Sequence, residues 1–163
     1  MRRKGSQRLK NFDYSNDQWY FVTSCIRNNS KDFGKIIDGK MDLSKAGQIA
    51  LEQWNWLATQ YPYVKLHEFV VMPDHIHGIL EINATGIRYK DGAMKIKSLS
   101  DLIGAYKTTA SKKIHLITSP DGTHPYKHFR WLRSFHERIV WTRRSFENIS
   151  EYIRNNPKNY HRP

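Results

Sequence analysis

A single cysteine, Cys25, in 163 residues excludes an intramolecular disulfide and a cysteine-built zinc site, and points to a reducing compartment. No run approaches the roughly 18 apolar residues of a membrane span. The opening Met1 to Lys10 is basic, with no apolar stretch behind it, so neither a spanning helix nor a secretion signal is expected. The expectation is a soluble, cytoplasmic protein without a membrane partner. Acidic residues are also scarce: 15 Asp and Glu stand against 27 Lys and Arg, for a formal net charge of +12. Such a surface repels cationic partners and attracts phosphates.

Core material is plentiful, with 39% hydrophobic and 13% aromatic residues. A chain of this length is expected to form one domain that buries roughly 70% of its unfolded surface. The expected division is a basic N-terminal arm over 1–16, a core over 17–157 and a tail over 158–163. The positive charge is uneven. Arg2, Arg3, Lys4, Arg8 and Lys10 crowd the start, while Lys127, Arg130, Arg133, Arg138, Arg143 and Arg144 face only Glu137. Trp131, Phe135 and Trp141 are interleaved with that second group, a pattern suited to nucleic acid. A solvated basic face or a membrane-surface patch is the alternative.

Trp19 to Ile26, WYFVTSCI, is aromatic and β-branched and predicts a first strand. A loop with Gly34 and Gly39 follows. From Ser44, a plausible N-cap, apolar residues recur at helical spacing from Ala46 to Tyr61, where Pro62 stops the helix. Tyr63 to Met72 and His75 to Ile82 predict two strands joined at Pro73-Asp74, an antiparallel hairpin. Residues 83–97 predict a loop, and Leu99 to Ile114 a second helix after Ser98. A strand around Ser134 to Trp141 and a short helix capped by Ser145 and stopped by Pro157 complete the chain. The order β-α-β-β-α-β-α predicts an α+β fold: a ferredoxin-like, split βαβ antiparallel sheet with helices packed on one face.

Within MPDHIHGIL, His75 and His77 sit two apart on a predicted strand. Both imidazoles then leave the same sheet face, with Cα atoms about 7 Å apart, and can converge on one ion. The motif alone is unspecific, and ordinary hydrogen bonding is the competing reading. The last helix offers a candidate nucleophile, Tyr152, and a candidate third ligand, Asn156. Four residues apart, they lie about 40° apart around the helix and about 6 Å along it, on one face. A packing tyrosine at the rim and an asparagine cap before Pro157 are the plainer roles.

Taken together, VVMPDHIHGIL, SFHERIV and EYIRNNP resemble the HUH single-tyrosine transposases, in the branch of the REP-associated tyrosine transposases. The opening RRKGSQRLKNFDYSNDQWYFVTSCIRNN is similar to the start of that branch, and the resemblance runs over nearly the whole chain. One departure is Leu132, where glutamine more usually follows the tryptophan. The resemblance implies metal ligation by His75, His77 and Asn156, with Mg or Mn as the divalent ion. It further implies Tyr152 as the nucleophile that forms a 5′-phosphotyrosine, and single-stranded or hairpin DNA as substrate, cut by a monomer or homodimer.

Expected DNA contacts are Arg2, Arg3 and Lys4 of the arm, Lys107 and Lys112 of the second helix, and Arg130, Arg133, Arg143 and Arg144. Lys107 and Lys112 are also possible activators of Tyr152. The main competing function is a non-catalytic nucleic-acid-binding module of RRM-like shape, although the aromatic signature of an RRM is missing. An H-x-H metallohydrolase of small molecules is disfavoured by the charge and by the lack of Asp or Glu ligands.

Overall fold

The computed structural model describes residues 8–87 and 94–160. Strand β1 (Gln18–Cys25) alternates fully buried Tyr20, Val22 and Ser24 with Trp19, Phe21, Thr23 and Cys25 on its other face. It sits inside a four-stranded antiparallel sheet with β4 (Val64–Met72), β5 (His75–Ile82) and β6 (His136–Val140), in the order β4-β5-β1-β6. Counted among these four strands, that is the order 2-3-1-4 of a split βαβ sheet, as the sequence predicts. The register is shifted by a bulge between Leu66 and Phe69 on the edge strand β4.

The region read as a loop around Gly34 and Gly39 contains a second, small sheet: β2 (Gly34–Ile37) pairs with β3 (Lys40–Leu43). Its turn is Asp38-Gly39, both at positive φ (49° and 72°), the primed two-residue hairpin that an Asp-Gly pair favours. Four-residue strands give too little alternation to stand out from a loop.

Helix α1 (Lys45–Gln60) is capped by Ser44, whose hydroxyl accepts from the Gly47 N–H at 3.1 Å. Helix α2 (Leu99–His115) begins with a capping box between Ser98 and Asp101. Both pack on the sheet face that carries Tyr20, Val22, Ile76, Leu80 and Ile139, where Trp54, Leu57, Leu102 and Tyr106 complete the main core. The Tyr106 hydroxyl donates to the Ala50 carbonyl at 3.1 Å and ties the two helices together. Gly47 lies directly against loop backbone: a Cβ there would stand 2.2 Å from the Phe33 carbonyl oxygen. Gly47→Ala is therefore expected to destabilise the fold by about 1–3 kcal/mol through overpacking. Chemical denaturation of the variant beside wild type checks this, the midpoint falling while the slope is kept.

Helix α3 (Arg143–Asn155) lies elsewhere. Ile149 and Ile153 pack on Ile79 and Val140, with Trp19, Phe21, Val70 and Phe146 around them. The placement of helices on one face thus holds for α1 and α2, while α3 covers the opposite face. Strand β5 explains this, because it is apolar on both sides: Ile76, Leu80 and Ile82 point one way and Ile79 the other. A sheet apolar on both faces must cover both. The helix also starts earlier than expected, at a cap formed by Thr142, whose hydroxyl accepts from the Ser145 N–H at 3.1 Å. Among the described residues no helix is long and apolar enough to cross a membrane.

Candidate active site

Placing α3 on the second face brings it over the histidines. His75 and His77 leave β5 on the Ile79 side, and β1 pairs Cys25 with His75 and Thr23 with His77. Asp74, buried in the tight turn before β5, has its carboxylate Oδ1 2.6 Å from His75 Nδ1. An ionised carboxylate only accepts, so His75 carries its proton on Nδ1 and, when neutral, turns the lone pair of Nε2 inward. Thr23 Oγ1 lies 2.7 Å from His77 Nδ1. The two Nε2 atoms face each other at 3.1 Å. His77 is 7% exposed. Burial chiefly, then the neighbouring His75, lowers its pKa to about 3 against an opposing pull from Asp74, so its imidazole is neutral at pH 7.

Phe21 stacks on His77, with ring centroids 5.5 Å apart and planes 29° apart. Tyr152 approaches from α3, its ring centroid 5.5 Å from that of His77 and 6.2 Å from that of Phe21. The apolar stripe Ile149 and Ile153 fixes the helix, and Tyr152 is left at the edge of the packed face, 52% exposed. Asn156 closes α3 one turn later, its N–H donating to the Ile153 carbonyl at 3.2 Å. His75, His77, Tyr152 and Asn156 thus line one cavity of about 440 Å³. A larger cavity of about 540 Å³ lies at the β4 edge between α1 and α3; it contains none of these four residues.

The same cavity includes residues outside the predicted set of ligands and nucleophile. His136 of β6 pairs with Thr23 and shares its face, which strand alternation alone left undecided between His136 and Glu137. Asp74, read as a turn residue, is also the partner of His75. Thr23 gave no signal beyond its place on β1, since its role depends on the register with β5.

Among the described residues no three His, Cys, Asp or Glu side chains converge as a metal cluster. An ion here would use the two imidazoles and an amide oxygen or water. The imidazole pair fits that use. Two nitrogens bound to one ion at about 2.1 Å and ordinary coordination angles stand about 3.0–3.4 Å apart, and the Nε2 atoms are 3.1 Å apart.

The expected basic contacts are scattered. Arg2, Arg3 and Lys4 lie outside the described residues. Lys107 donates to the carbonyls of Leu132 and Ser134 at 2.8 and 3.1 Å. Burial lowers its pKa to about 8. Helix α2, which carries Lys107 and the exposed Lys112, packs on the sheet face opposite α3. Arg130 donates to the Phe129 carbonyl at 2.7 Å. Arg143 pairs with Glu147 at 3.0 Å in the first turn of α3, beside exposed Arg144, and Arg133 is exposed before β6.

No family model matches the chain. An uncharacterized protein of Haemophilus influenzae is 31% identical over 166 residues, spanning 93% of this chain and 87% of the relative. The chain belongs to the same family as that protein. The solved structure of a REP-associated tyrosine transposase bound to a REP hairpin superposes with a TM-score of 0.64 at 16% identity, covering 95% of this chain and 73% of that one. The fold is that of a REP-associated tyrosine transposase. Within this transposase fold the split βαβ sheet supplies the two histidines from its second central strand, and the last helix supplies the tyrosine.

Proposed function

We propose that this protein is a metal-dependent single-stranded DNA endonuclease and strand transferase, a transposase that cuts through a covalent phosphotyrosine at hairpin DNA. The observation that carries this reading is the convergence of Tyr152, His75, His77 and Asn156 on one cavity in a chain of net charge +12. A divalent ion, Mg or Mn, would be held by His75, His77 and Asn156, and when bound it supplies Lewis-acid stabilisation of charge on the scissile phosphate. Asp74 and Thr23 fix the imidazoles, and burial keeps His77 neutral and available as a ligand. Tyr152, exposed at the cavity rim, reaches a phosphate laid across it. Its phenolic oxygen, having lost its proton, attacks phosphorus, and the P–O3′ bond breaks with its electron pair on the departing 3′ oxygen, which takes up a proton. The products are a 5′-phosphotyrosine and a 3′-hydroxyl, and the phosphoester bond is conserved for rejoining. The reading puts its action in the cytoplasm, with the DNA it would cut.

The test incubates the protein with Mn and a labelled pool of single-stranded hairpin DNAs and runs a denaturing gel beside a chelator control. A slow covalent band that the chelator removes supports the reading. DNA binding without any band would favour the non-catalytic module instead. Asp74→Asn, which weakens the acceptor for His75 Nδ1–H, is expected to lower Mn affinity by about 10–100-fold while the circular dichroism spectrum is kept. Titration calorimetry with Mn measures it.

A further inference from the structure

Cutting DNA through a tyrosine leaves one proton without a source. As the P–O3′ bond breaks, the departing 3′ oxygen has to be protonated, and an acid placed beside it lowers the barrier. The cavity around the two histidines holds a third imidazole, which neither the ligand set nor the nucleophile uses. His136, the first residue of β6, lines it together with His75, His77 and Tyr152.

Other titratable groups of the cavity are engaged. Asp74 and His75 are bonded to each other at 2.6 Å, and His77 lies 2.7 Å from the Thr23 hydroxyl. His136 is exposed, and among the described residues it makes no hydrogen bond or ion pair. Its ring nitrogens are therefore open to solvent and to substrate, and histidine is the side chain that both gives and takes a proton near neutral pH.

The sheet fixes where this imidazole stands. His77, Thr23 and His136 lie side by side on β5, β1 and β6, and residues paired in this way share a face. Neighbouring strands are about 4.8 Å apart, so the two histidines leave the sheet roughly 10 Å from each other, with the short Thr23 side chain between them. Tyr152 stands at the His77 end of this row, its ring centroid 5.5 Å from that of His77 and 6.2 Å from that of Phe21. In phosphoryl transfer the attacking and leaving oxygens lie roughly in line, on opposite sides of phosphorus. A phosphate that Tyr152 meets from the His77 end therefore turns its leaving oxygen toward the β6 end.

Resting on the DNA-cutting reading above, the geometry points to His136 as the general acid that protonates the departing 3′ oxygen. The Tyr152 oxygen bonds to phosphorus, the P–O3′ bond breaks with its electron pair on the 3′ oxygen, and the imidazolium N–H gives that oxygen its proton. The neutral imidazole left behind takes the proton back in rejoining, when the 3′-hydroxyl attacks the phosphotyrosine.

The test compares an ordinary hairpin DNA that gives the covalent band with the same hairpin carrying sulfur in place of the bridging 3′ oxygen. A thiolate is a far weaker base than an alkoxide and leaves without a proton. Single-turnover formation of the band in Mn is followed for wild type, His136→Ala and His136→Gln, the last being of similar length but unable to carry a proton. On ordinary DNA both variants are expected to be slower by on the order of a hundredfold or more, and on the sulfur DNA to come within about threefold of wild type. Hairpin affinity by anisotropy, Tm and the Mn-dependent rise in Tm are expected to stay at wild-type values, which separates proton transfer from binding and folding. Variants that cut ordinary DNA as fast as wild type overturn the proposal, and so does a loss that persists on the sulfur DNA, which would put His136 in another step. A wild type that forms no covalent band on any hairpin overturns the cutting reading itself, a result distinct from a wild type that cuts beside variants that cut equally well.

Discussion

Tyr152→Phe is expected to abolish the covalent protein–DNA band entirely while leaving Tm and DNA affinity close to those of wild type. The substitution removes one oxygen and keeps the ring. The ring is what contacts the site structurally, edge-on to His77 and Phe21. Among the described residues the hydroxyl has no hydrogen-bond partner, and the residue is half exposed, so its removal orphans nothing buried. Substitutions of this kind stay within about 0.5 kcal/mol. Covalent attachment, by contrast, has no substitute atom on this side chain. The denaturing gel and an anisotropy titration on the same hairpin separate the two quantities. An adduct that survives in Tyr152→Phe moves the nucleophile to another residue, with Tyr160 in the same cavity the next to replace.

The cavity around the two histidines is assembled from four separated stretches, and this determines what the sequence could disclose. Strand β5 was readable because HIHGILEI is apolar enough to be a strand and is bounded by Pro73-Asp74. The shared face of His75 and His77 follows from strand period alone. The position of Tyr152 above His77 does not follow from any period. It depends on α3 crossing to the second face, which in turn depends on Ile79 and Val140 needing cover on the side away from the main core. Local pattern reports that α3 has an apolar stripe; only the sheet says which face receives it. Thr23 and His136 were hidden for the same reason, since their approach to His77 is a matter of pairing register across β5, β1 and β6. Asp38-Gly39 is the opposite case, a turn signal present in the sequence whose flanking strands were too short to make it stand out.

His77→Ala is expected to cost more than about a hundredfold in metal-dependent cutting, beyond the loss produced by altering a partner of a ligand. Its stability cost is expected to be about 1–2 kcal/mol, from a lost hydrogen bond to Thr23 and a lost contact with Phe21. A chain of this size then loses roughly 2–4 °C of Tm per kcal/mol, so the variant stays folded at assay temperature. The two effects are separable because they have different causes. In wild type, Mn is expected to raise Tm by mass action, about 2.7 kcal/mol of stabilisation at a hundred times Kd. Without His77 only one imidazole of the pair at 3.1 Å remains, and the Mn-dependent rise should vanish while the metal-free Tm falls only slightly. A thermal scan with and without Mn on both proteins makes the comparison. If the Mn-dependent rise persists in His77→Ala, the ion is held elsewhere, and the confronted Nε2 atoms are instead joined by a proton: His75 is fixed by Asp74 as a donor through Nδ1, so His77 would have to donate through Nε2 and accept from Thr23. The facing imidazoles therefore allow two occupants of the space between them, a cation or a proton, and the Mn response in the two proteins tells which one the site is built for.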